Sequence, residues 1–112
     1  MERIGFAMRL RPGAEAVYRE RHAAVWPEML DELRAAGAHD YSIFLRGEDL
    51  FGYLVVDDLA AFRAYLAESE VNARWQAEMA PFFVDLDGRP DEGFLLLEEV
   101  FHLEDQPAEP AG

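Results

Sequence analysis

Tyr18, His22 and Trp26 stand four residues apart in the run Tyr-Arg-Glu-Arg-His-Ala-Ala-Val-Trp-Pro-Glu, which Pro27 interrupts. Residues four apart share one face of an α-helix. A phenol one turn from an imidazole can exchange protons with a single bound molecule, and an indole beside them can stack on the flat apolar side of a sugar or another ring. The same spacing also fits plain core packing. Val25, Met29, Leu30 and Leu33 continue an apolar stripe, and each ring taken alone is accounted for by it.

Pro27 has no backbone N–H and pushes Trp26 out of the helical region, so the spacing predicts a helix from about Ala14 that breaks between His22 and Pro27. A second helix follows from Pro27 to Ala36, with proline in its first turn and Gly37 as C-cap. The break puts His22 in the last turn of the first helix. There the negative end of the helix dipole favours a protonated imidazole, which makes His22 a candidate proton donor near neutral pH.

The elements that must hold these rings are readable in outline. Ile4, Phe6, Met8 and Leu10 alternate with Gly5, Ala7, Arg9 and Arg11, the period of a half-buried strand ended by Pro12-Gly13. Tyr41 to Arg46 and Leu50 to Asp57 are apolar β-rich runs joined by Gly47-Glu48-Asp49, a predicted hairpin in which Tyr41, Ile43 and Leu45 share a face. Asp57 or Asp58 can cap a helix with Leu59, Phe62 and Leu66 at helical spacing. Ser69 can cap the next, which carries Val71, Trp75 and Met79 and is limited by Pro81. Turn residues make Asp85 to Gly93 a loop, Phe94 to Leu103 reads as a long apolar strand, and Glu104 to Gly112 as a disordered acidic tail.

Strand, helix, strand, strand, helix, strand is the order of a ferredoxin-like α+β sandwich, with helices on one face of an antiparallel sheet. The other face needs a cover. Phe94 to Leu97 is continuously apolar, as in a strand buried on both sides, and a second copy of the chain is the simplest partner, so a homodimer is expected.

Composition narrows the function. At 112 residues the chain fits one domain, placed at residues 1–103 ahead of the tail. A net charge of −13, from 10 basic and 23 acidic residues, argues against a nucleic-acid or anionic-membrane surface, both of which need clustered Lys and Arg. With no cysteine, thiolate chemistry and disulfides are excluded. The lack of an apolar leader or long apolar span makes a cytoplasmic protein the expectation. The three histidines are far apart, with no His-x-His or His-x3-His pattern, which argues against a metal site. His39, beside Asp40 at a strand start, reads as a turn or supporting residue, and His102 as solvated.

Tyr18-x3-His22-x3-Trp26-Pro27-Glu28, then Gly37-Ala38-His39-Asp40-Tyr41-Ser42-Ile43, Arg74-Trp75 and Glu99-Val100-Phe101-His102-Leu103 together resemble the L-rhamnose mutarotases over nearly the whole chain up to Leu103. The resemblance implies a dimeric α+β barrel of the ferredoxin-like type that interconverts the α and β anomers of L-rhamnose with neither metal nor organic cofactor. It puts His22 on the family's proton donor, and Tyr18, Tyr41 and the pair Trp75-Gln76 on its sugar-binding positions. Some members carry a second Trp where this chain has Gln76, so an amide that donates and accepts hydrogen bonds replaces a stacking surface. Trp26 and Trp75 are expected to pack on the sugar's C–H faces, including the 6-methyl of a deoxysugar. Two other classes share this fold: a cofactor-free or haem-linked monooxygenase, which a haem titration would reveal by a Soret band, and a non-catalytic module that binds a small ligand.

Overall fold

Alternation decides which side of the sheet is covered. In β1 (Glu2–Arg9), Ile4, Phe6 and Met8 turn inward while Arg3, Gly5, Ala7 and Arg9 turn outward; in β3 (Asp49–Val56), Leu50, Gly52, Leu54 and Val56 do the same against Phe51, Tyr53 and Val55. With β2 (Ala38–Arg46) and β4 (Leu95–Leu97), these strands form one antiparallel sheet in the order β2-β3-β1-β4. The computed structural model describes residues 1–84, 90 and 95–107. Helices α1 (Glu15–Ala23), α2 (Pro27–Ala35), α3 (Leu59–Glu68) and α4 (Glu70–Met79) complete the chain order. This is the ferredoxin-like α+β sandwich that the element order predicts.

Local chemistry sets the helix ends. Trp26 lies in the extended region at φ −52°, ψ 133°, as a residue before proline must, and Pro27 opens α2. Gly37 follows the α2 C-cap at φ +98°, a conformation that costs glycine little. Of the two candidate caps for α3 it is Asp58 that serves, accepting from the Ala61 N–H at 3.0 Å, and Ser69 accepts from the Asn72 N–H at 3.1 Å to cap α4. The hairpin turn is tighter than predicted, because Arg46 already pairs with Asp49.

β2 begins three residues earlier than the apolar run suggests and carries an irregularity between His39 and Ser42, with Asp40 at φ +48°. A bulge re-aims the side chain beside it. Here it delivers Tyr41 to the inner face, edge-on to Phe6 with ring centroids 6.2 Å apart.

The core has two centres. Leu10, Tyr18, Met29, Leu50, Trp75, Met79 and Phe83 pack under α1, α2 and α4, and Phe6, Leu54, Val56, Phe62 and Leu66 pack under α3.

The last strand departs from expectation. Phe94 lies outside the described residues. Among the described residues β4 spans Leu95–Leu97, paired with Gly5 to Ala7, and does not run on to Leu103; a 3-10 turn follows at Leu103–Asp105. Nor is it buried on both sides, since Leu95 is 70% exposed and Leu97 49%. Each follows from position: among the described residues β4 pairs with β1 alone, and no described strand or helix covers the outer face. Beyond β4, Arg3 holds the chain through Glu99 at 2.8 Å and through Asp105. The predicted loop over 85–93 lies outside the described residues except for Pro90.

Candidate active site

The imidazole of His22 lies over the phenol of Tyr18, ring centroids 4.0 Å apart and planes 24° from parallel, as the i, i+4 spacing on α1 requires. Its Nδ1 is 3.0 Å from the Tyr18 carbonyl oxygen. A carbonyl can only accept, so Nδ1 carries the hydrogen and Nε2 is left as the nitrogen with a free lone pair. Trp75 of α4 meets the imidazole edge to face at 5.4 Å, and Trp26 meets Trp75 in the same manner at 5.1 Å.

A cleft of about 680 Å³ opens at the seam between the two core centres, with His22, Tyr41, Trp75 and Gln76 around one end and Leu30, Leu33, Leu59, Phe62 and Leu66 along the rest. A recess of about 70 Å³ shares His22, Tyr41, Trp75 and Gln76 with the cleft and adds Tyr18, Met79 and Phe83. The structure therefore brings together Tyr18, His22, Tyr41, Trp75 and Gln76, drawn from α1, β2 and α4. Trp26 is apart from them. It lines neither space; its face takes the Arg74 guanidinium at 6.0 Å, and its contact with Trp75 makes it a support for that ring.

Burial sets the protonation states. It pushes the His22 imidazole below its ordinary value of 6.5, and the hydrogen bond to the Tyr18 carbonyl opposes this only in part. The helix-end argument pointed toward a protonated ring; desolvation outweighs the dipole because the ring is packed against both Tyr18 and Trp75. Burial raises the Tyr18 phenol well above the usual phenol range, with the nearby Tyr41 adding to the effect. At neutral pH the site thus holds a neutral imidazole beside a neutral phenol.

Sequence reasoning missed Asn72, whose side chain is fully buried and accepts from Gln76 Nε2 at 3.0 Å. A polar residue one turn before Gln76 on the same helix was the available signal. His39 bonds Asp57 at 3.0 Å, away from the cleft. Among the described residues no group of three His, Cys, Asp or Glu side chains is placed to hold a metal ion, and no helix is long and apolar enough to cross a membrane.

Fold and site together define a ferredoxin-like α+β protein with an aromatic-walled cleft that sets a histidine over a tyrosine. A family model of L-rhamnose mutarotase matches residues 3–103. The L-rhamnose mutarotase of Burkholderia orbicola (strain MC0-3) is 49% identical over 106 residues, covering 93% of this chain and 100% of that protein. The L-rhamnose mutarotase of Listeria monocytogenes serotype 4b (strain F2365) is 41% identical over 107 residues, covering 92% and 99%. The crystal structure of an L-rhamnose mutarotase from Formosa agariphila superposes with a TM-score of 0.74 at 33% identity, covering 92% of this chain and 99% of that one. The chain belongs to the L-rhamnose mutarotase family, whose members are isomerases acting on carbohydrates. These matches do not favour the monooxygenase or ligand-module readings.

Proposed function

We propose that this protein interconverts the α and β anomers of L-rhamnose or a closely related deoxyhexose, with His22 as the residue that moves the proton. The observation that carries the reading is the stacked Tyr18–His22 pair, its Nε2 left free by the Nδ1 bond, at the aromatic end of the cleft. Ring opening breaks the C1–O5 bond, protonates O5 and removes the hydrogen from O1, leaving a free aldehyde; closure from the other face reverses each transfer. O1 and O5 hang on the same carbon, so one neutral imidazole can take the O1 proton and deliver it to O5, acting as base and then as proton donor within one opening. Tyr18, held as a phenol, orients O1 or O5 by hydrogen bonding without itself ionising. Tyr41 and Gln76 supply further polar contacts, and Trp75 an apolar face for the ring and its methyl group. No electrons change hands, and the atoms balance.

The test is anomeric exchange. Saturation transfer between the two anomeric protons of L-rhamnose is expected to accelerate on adding the protein, with chelator present. Exchange at the buffer rate for rhamnose, fucose, galactose and glucose alike would end the reading.

We further propose that residues 1–103 form the catalytic unit, that it works in the cytoplasm, which the absence of cysteine permits, and that it is a homodimer joined through the outer sheet face. Phe44, Phe51, Ala7 and Leu95 form one cross-strand row there, and Ser42, Tyr53, Gly5 and Leu97 the next. Phe44 is 63% exposed, and Phe51, Tyr53, Leu95 and Leu97 are exposed around it. A continuous apolar sheet face of this kind marks an interaction site. Phe51→Glu would set two carboxylates into that face and is expected to turn a dimer into a monomer by sedimentation velocity. A wild-type chain that sediments as a monomer at tens of micromolar would refute the proposal.

A further inference from the structure

We propose that Asn72 is a positioning residue for sugar recognition, one that fixes which way the Gln76 amide presents its donor and acceptor to the cleft. The proposal rests on the sugar-isomerase reading above. Asn72 is 0% exposed, yet it reaches the cleft wall beside Gln76. Its backbone N–H is tied to the Ser69 hydroxyl at 3.1 Å, and that hydroxyl donates in turn to Glu32 of α2. Its side-chain Nδ2 donates to the Leu66 carbonyl oxygen at 3.1 Å.

A main-chain carbonyl can only accept, so the Asn72 amide has one allowed orientation: NH2 toward Leu66 and oxygen toward Gln76. That oxygen receives Gln76 Nε2 at 3.0 Å. The polarity of Gln76 is thereby set from the backbone of α3, through a side chain with no access to water. For a neutral polyol this matters, because hydroxyl groups are told apart by directed donors and acceptors, not by charge. A Gln76 amide free to flip would offer the donor and the acceptor interchangeably, and a mismatched hydroxyl would be tolerated as well as the right one.

Exchange rates for L-rhamnose, measured by saturation transfer over a range of sugar concentrations, test this on the wild type, Asn72→Ala, Gln76→Ala and the double variant. Asn72→Ala is expected to raise KM by about two- to twelvefold, the range that one lost neutral hydrogen bond corresponds to. It should change kcat less than twofold and leave the pH profile of His22 in place. In the Gln76→Ala background the same substitution should add nothing to KM, because its effect passes through Gln76. Thermal unfolding reports separately on the lost Asn72 bond to the Leu66 carbonyl, which still accepts the Ser69 N–H at 3.2 Å, and Asn72→Ser, which keeps a hydroxyl for one of the two bonds, repeats the comparison if the alanine variant does not fold. An unchanged KM in Asn72→Ala, or an equal rise with and without Gln76, overturns the proposal. A wild-type protein that does not exchange rhamnose overturns the sugar reading itself and this proposal with it, a result distinct from the other two.

Discussion

Replacing His22 by alanine is expected to slow anomeric exchange about a hundredfold or more, the scale on which a positioned general acid or base contributes, with the fold retained. Because His22 moves the proton in both directions, opening and closure should fall together. Tyr18→Phe should cost less, since a phenol held far above the usual range orients hydroxyls but does not ionise. The pH profile follows from the neutral ring. Exchange should stay level through the neutral range and decline only below the ordinary imidazole value of 6.5, where Nε2 takes up a solvent proton. An initially protonated His22 would give the opposite slope, rising as pH falls. Stability moves the same way as activity. The unfolded chain, with its ordinary imidazole, binds the proton first, so the fold loses stability as pH drops through 6.5 toward the lower native value, and rates must be read where the protein is still folded. A His22→Ala variant that is folded and fully active would place the chemistry elsewhere.

The second large effect is expected from Gly52, in a strand remote from every catalytic side chain in sequence. Gly52 pairs with Phe6, whose ring lies across it; a Cβ on residue 52 would come within 2.0 Å of Phe6 Cζ. Neither strand backbone can yield, because both are inside the sheet. Gly52→Ala must therefore turn the Phe6 ring out of a well-packed core, at a cost of about 1–3 kcal/mol. In a chain of this size that is several degrees in Tm. The displaced ring is the one that meets Tyr41 edge-on, so sugar affinity should fall as well. Phe6→Leu combined with Gly52→Ala should recover part of the lost stability by making room. Equal Tm values for Gly52→Ala and wild type would show that the ring has another place to go.

What the sequence disclosed, and what it hid, divides by the range of the interaction. The helix break at Pro27, the Ser69 cap and the face shared by Tyr18 and His22 depend on neighbours within four residues, and all stand as read. The protonation of His22 does not, because the burial that decides it includes packing against Trp75, fifty-three positions away. Trp26 has the chemistry of a sugar-stacking residue, yet its ring is taken up by a T-shaped contact with Trp75 and by the Arg74 guanidinium over its face. Asn72 looks like any polar residue on a helix until the packing of α4 on α3 buries it. Phe94 to Leu103 has strand composition throughout, but composition does not supply a neighbour. Among the described residues of that run, β1 pairs with three.

The two ends of the site sit on different helices: Tyr18 and His22 on α1, and Trp75, Gln76 and Asn72 on α4. Acid/base chemistry at an anomeric centre is common to all reducing sugars, whereas the pattern of hydroxyls around the ring is not. An engineer seeking a catalyst for another aldose could leave the first helix untouched and vary positions 72, 75 and 76 as a set. Because Asn72 and Gln76 lie one turn apart on the buried side of α4 and bond each other, 72 and 76 are a coupled choice, so libraries that randomise one without the other would sample mostly mismatched amides.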